Sequence, residues 1–384
     1  MNQKKRVLLI LANFAFLLVV LLGLLSSCGQ PNNKGNNQEE EPGEKVEKSL
    51  TLNDVTLEQF RKDGKLIWKV ISPLAKYKDA DKLALVEKPV GELFQDGVLV
   101  YKIQAKTGQL FEKSNKIILK EDVVATDVRS GAVLQGGEME WLPGEDLLLI
   151  RDNLKGTHPQ LQVTAKEARL KSRERRMELS GNVVATTASP IFQLRSENLV
   201  WQMAAQLVES TTQVQIDRYT CKTPSECTPT DRATANQGKM NLAKKTATLE
   251  KNASLDLSKP PVNVAGNLIE WNLEEKTITS DEPITIVHEQ QKTIIQAQKG
   301  KLDIPSNIFY LSEGVSGSST EGQFDLASDQ MMWDITKEQI QAEGNVVYRQ
   351  NNPPMTTRGK KAFGKLQDRT ITFSGGEVVT DVIP

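Results

Sequence analysis

The side chains best able to do covalent, metal or proton-transfer chemistry are few here: three cysteines and two histidines in 384 residues. Cys221 and Cys227 bracket Lys222-Thr223-Pro224-Ser225-Glu226. That spacing is not the Cys-x-x-Cys of a thiol redox site. No histidine or further cysteine lies nearby to complete a zinc set. In an exported chain the pair reads as a structural disulfide. His158 precedes Pro159 in a polar stretch, and His288 sits in Ile286-Val287-His288-Glu289. Acid–base catalysis and metal binding lean on histidine, but these two read as ordinary strand or loop residues. No Walker loop, dinucleotide fingerprint or nucleophile–base constellation appears. The sequence therefore implies no enzyme, no cofactor and no metal.

The third cysteine, Cys28, closes a leader. Lys4, Lys5 and Arg6 precede an apolar run from Val7 to Leu25, interrupted by Asn13, and then Leu25-Ser26-Ser27-Cys28. A leucine and two small residues before a cysteine form a lipobox-like cleavage signal, making residues 1–27 a signal peptide and Cys28 a lipidation site. The other reading is an uncleaved single span, since about 20 apolar residues cross a bilayer. Both tether residues 29 onward outside the cytoplasm. Residues 28–48, rich in Asn, Glu, Gly, Pro and Lys, cannot bury a core and read as a disordered tether.

Charge adds a further exclusion. Lys and Arg number 48 against 49 Asp and Glu, so no basic excess exists for a nucleic-acid backbone. A hydrophobic fraction of 38% with 5% aromatics suits a thin fold with much surface.

The elements that position everything else repeat. Four tryptophans share one context, an apolar residue two places earlier: Met139/Trp141, Leu199/Trp201, Ile269/Trp271 and Met331/Trp333. Residues i and i+2 share one face of a strand. Between these units stand Leu110, Leu170, Met240 and Leu302, each with a small residue two places earlier: Gly108, Ala168, Gly238 and Gly300. The anchors 110, 141, 170, 201, 240, 271, 302 and 333 are separated by steps of 31, 29, 31, 39, 31, 31 and 31. About 13 residues after each comes an apolar landmark, often behind turn-forming pairs such as Gly181-Asn182 or Gly344-Asn345. No stretch beyond the leader sustains a capped helical stripe. The fold class expected is therefore all-β: a sheet of about twenty antiparallel strands, folded back into two layers. With one strand per layer from each of ten units, the trough between them would be on the order of 50 Å long. The tryptophan pairs are expected to face Leu110, Leu170, Met240 and Leu302 across it. The disulfide would close the one long step of 39.

Segment 64–156 resembles the LptC family, the periplasmic component of the lipopolysaccharide-export ABC transporter. The residues that carry this are Trp68-Lys69-Val70, Pro73-Leu74-Ala75-Lys76-Tyr77, Pro89-Val90, Tyr101-Lys102-Ile103-Gln104-Ala105 and Lys116-Ile117-Ile118-Leu119. Segment 163–374 resembles the related OstA-like domains of LptA and the LptD N-terminus, through Ala165-Lys166-Glu167-Ala168, Leu179-Ser180-Gly181-Asn182-Val183 and Ala342-Glu343-Gly344-Asn345-Val346. The division implied is an LptC-like β domain over 49–156 and OstA/LptA-like repeats over 157–384. The resemblance implies an elongated β-jellyroll whose interior holds lipopolysaccharide acyl chains. It implies docking on the inner-membrane transporter LptBFG at the N-terminal end and strand addition to an LptA- or LptD-type β domain at the other. It places the chain at the periplasmic face of the inner membrane. The chain departs from a single LptC domain in its length and in its apparent lipid anchor. The competing reading is a structural or adhesive β-repeat lipoprotein with a closed core.

Overall fold

The computed structural model describes residues 49–187, 189–223, 226–368 and 370–382. The leader, Cys28 and the tether at 28–48 lie outside the described residues. Every helix or strand assigned among those described is a strand: 28 segments pair antiparallel in one sheet. Side-chain alternation builds them. In Leu161–Lys171 the buried residues are Leu161, Val163, Ala165, Ala168 and Leu170, with Gln162, Thr164, Lys166 and Arg169 exposed. The phase slips by one at Glu167, where a bulge shifts the register.

That slip marks a bend. In Lys116–Asp127 the bend falls at Glu121 and Asp122, with φ of 63° and 50°. The register shifts there between Lys120 and Val123. Paired left-handed residues recur at Asp152-Asn153, Gly181-Asn182, Lys251-Asn252, Glu313-Gly314 and Gly344-Asn345. Glycine adopts this conformation freely, and asparagine and aspartate tolerate it best among the rest. They fill nine of the twelve positions. Each bend sends one half of the strand into a first wall and the other half into a second.

Elsewhere the bend interrupts the ladder, as between Leu207–Ser210 and Val214–Thr223 or between Thr277–Ser280 and Ile284–His288. Seven strands are split in this way, so the 28 segments form 21 folded strands with one arm in each wall. The expected count of about twenty holds for folded strands. The expected length does not: 21 arms at about 4.8 Å stack to roughly 95 Å. The Gly-Asn pairs bend a strand without ending it, so every strand serves both walls.

The repeat is also a backbone repeat. The turns that edge the first wall carry a left-handed residue at Asn115, Asp146, Arg175, Gln206, Lys245, Lys276, Asn307 and Glu338, each five residues past a sequence anchor. The long step of 39 adds a protruding hairpin. Val214–Thr223 and Glu226–Ala235 outrun their neighbours, whose pairing ends at Arg218 and Arg232. Cys221 and Cys227 stand directly opposite each other on it and form a disulfide.

Candidate functional site: the interior between the walls

A single cross-strand row runs through the first wall. Leu110, Ile117, Trp141, Leu148, Leu170, Met177, Trp201 and Val208 stand each directly opposite the next. The row continues through Met240, Ala247, Trp271, Ile278, Leu302, Phe309, Trp333 and Ile340. None of these sixteen side chains is more than 5% exposed. Met139, Leu199, Ile269 and Met331 lie two residues earlier on the same inner face, and all four are buried.

This placement corrects one expectation. Leu110, Leu170, Met240 and Leu302 do not face the tryptophans; they alternate with them in the same wall. A step of 31 residues spans two folded strands and so returns the chain to the wall it left.

The second wall supplies the opposing face. Its row runs Val70, Gly91, Ile103, Ala125, Leu134, Gly156, Val163, Ala185 and Leu194. It goes on through Ile216, Ala233, Leu255, Val264, Ile286, Ile295, Gly317, Leu326 and Tyr348. No single residue type recurs along this row, but the apolar landmark about 13 residues after each anchor lies two residues before a member of it on the same inner face, as Val123 before Ala125 and Val183 before Ala185.

Rings bridge the walls. Tyr101 meets Trp141 edge-on at 6.3 Å, His158 meets Trp201 at 5.1 Å, Phe192 meets Trp271 at 5.2 Å, and His288 meets Trp333 at 5.9 Å. The two histidines are thus cross-wall packing residues. Burial pushes both imidazoles below the ordinary histidine range. Each Nδ1 accepts a backbone N–H, from Gln160 and Gln291 respectively. Arg218 lies 5.9 Å from the Trp271 ring and pairs with the buried carboxylate of Asp231.

Five polar ties also cross between the walls, one of them from Arg129 Nη1 to the Ser172 carbonyl at 3.5 Å. The Gln95 amide donates to Asp146 at 2.9 Å, and Arg173 to Asp96 at 3.3 Å. Tyr101 Oη and Ser172 Oγ share a bond of 2.9 Å, and the Gln160 amide donates to Gln206 at 3.1 Å. All lie between residues 95 and 206. Further along, the rings of Phe192, Trp271, His288 and Trp333 carry the contact. The buried indole N–H groups of Trp68, Trp141, Trp201 and Trp333 find no acceptor among the described residues.

No group of three potential metal-ligating His, Cys, Asp or Glu side chains occurs among the described residues. The fold and interior define a two-walled antiparallel sheet closed over a continuous apolar seam. The LptC family, described as lipopolysaccharide-assembly, LptC-related, matches residues 15–135 and 146–226. That is more than half of the 384 residues, and the chain belongs to this family, a component of lipopolysaccharide transport. No curated protein matches the chain.

Proposed function

We propose that this chain is a membrane-anchored periplasmic carrier that passes lipopolysaccharide along its interior, with the acyl chains held between the two rows. The observation that carries the reading is the unbroken apolar row from Leu110 to Ile340, faced by a second from Val70 to Tyr348. Burial of acyl chain is worth roughly 0.8 kcal/mol per CH₂. A row that repeats every 31 residues offers similar environments at each step, which favours sliding over trapping. The unbonded indole N–H groups give the carbonyl oxygens of acyl linkages something to meet. Entry requires the walls to part, and the line of left-handed bends is where they would turn.

The anchor is Cys28 or an uncleaved leader. The strands around Trp68 dock on the transporter LptBFG, which supplies the energy. Residues 157–384 continue the same two walls as OstA/LptA-like repeats, so the chain does the work of LptC and of part of the bridge. Among the described residues the last strand, Val379–Val382, is paired on one side only, with Pro354–Lys365. An edge of this kind accepts strand addition from an LptA- or LptD-type domain.

The second reading, a scaffold with a closed core, is favoured by the ring pairs that fill the seam. Purifying the full chain from a lipopolysaccharide-producing bacterium separates the two. The carrier reading expects lipopolysaccharide to co-purify through mild detergent. A folded protein free of lipid, under conditions that retain lipid on a known carrier, decides for the scaffold.

A further inference from the structure

The two walls part at their C-terminal end around a cavity of about 580 Å³. Its floor is apolar and prolongs both rows: Ile340 and Ile371 from the first wall, Leu326 and Tyr348 from the second. Phe324 packs on Tyr348 with ring centroids 5.7 Å apart. These residues lie beyond position 226, outside the segments that match the family.

The rim has a different chemistry. Gln290, Gln291, Gln323, Gln350 and Gln367 surround the opening. Its charged members are Glu321, Glu338 and Lys365, which leave one net negative charge. Primary amides offer a donor and an acceptor without charge, which suits hydroxyl and amide groups. Phosphates call for arginine or lysine clusters instead. Among the described residues one rim atom lacks a partner. Gln291 Oε1 is buried with no donor among the described residues. A buried acceptor in that state favours any ligand that brings an N–H or O–H.

We propose that this mouth is a terminal binding site for an acylated sugar. An acyl chain lies on the Phe324–Tyr348 floor. The hydroxyl or amide N–H at its point of attachment donates to Gln291 Oε1, and the phosphates stay in solvent. The proposal rests on the carrier reading.

The test places the photocrosslinker p-benzoylphenylalanine at Tyr348 or at Trp201 in the full chain, irradiated in lipopolysaccharide-producing cells. Both positions should capture lipopolysaccharide. Gln291→Leu should lower capture at Tyr348 by about fivefold, the weight of one hydrogen bond, and leave Trp201 unchanged. Capture at Trp201 alone overturns the mouth site and leaves the carrier reading standing. Capture at neither position removes both. An equal change at the two positions, or none, overturns the role of Gln291. In a second arm, dephosphorylated lipid A should compete for the Tyr348 crosslink as well as the phosphorylated form. A strong preference for the phosphorylated form would show that the rim reads phosphate and would overturn the neutral-donor assignment.

Discussion

Tyr101 Oη and Ser172 Oγ share a buried hydrogen bond of 2.9 Å across the two walls, joining residues 71 positions apart. Ser172 is fully buried, and burial pushes the Tyr101 phenol up to about 12. With Gln95–Asp146 and Arg173–Asp96 it fastens the N-terminal half of the seam. Tyr101→Phe should therefore destabilise the chain by about 1–3 kcal/mol, because Ser172 Oγ loses its partner in a dry site. Denaturant midpoints at constant slope would measure this. An unchanged midpoint would show that the tie is not formed in solution.

The histidines set a pH dependence. His158 and His288 have folded-state pKa values lowered by burial from an ordinary value of 6.5. The unfolded chain therefore binds more protons than the folded one as pH falls below about 6.5. The stability that depends on neutral imidazoles is fully present above that pH and declines as the pH drops towards the folded values. Melting temperatures recorded from pH 7.5 to 5 should fall, and His288→Phe should flatten the decline. An identical slope in the variant would remove His288 as a cause.

Glycines on the inner faces should differ in tolerance. A Cβ at Gly108 would lie 2.8 Å from Val86 Cγ2 and 2.9 Å from Leu119 Cδ2. At Gly364 it would meet only the Thr370 carbonyl, at 3.7 Å. Gly108→Ala should cost about 1–3 kcal/mol by overpacking, while Gly364→Ala should be neutral or slightly stabilising. Equal effects in chemical denaturation would contradict the packing described.

The contrast between these glycines shows where the sequence is informative. The anchors from Leu110 to Trp333 are legible because each turn returns the same residue types to the same wall. Gly181-Asn182 and Gly344-Asn345 misled, since a pair of left-handed residues looks the same whether it ends a strand or bends it. That ambiguity halved the expected length and put Leu170 across from Trp201 rather than two strands away in the same wall. Pairings such as Phe192 with Trp271 join residues 79 apart across the core, and strand alternation holds no information on which arm faces which. The amide rim was invisible because its members come from four separate turns and arms.

The disulfide should matter locally. Cys221 and Cys227 close a short loop on a hairpin that outruns its neighbours. Removing both cysteines should cost no more than about 2 kcal/mol, because loop-closure entropy is small for so short a loop. The β-sheet circular dichroism should be unchanged. Loss of folding would show that the hairpin supports the walls rather than decorating them.

The proposed carrier requires lipid to travel on the inner faces. Photocrosslinkers placed at Trp141 and Trp271, inside, and at Glu140 and Glu270, on the opposite face of the same strands, measure it directly. Lipopolysaccharide adducts are expected from the tryptophan positions and none from the glutamates. Adducts from the glutamate positions alone, or from none of the four in cells actively exporting lipopolysaccharide, would contradict it.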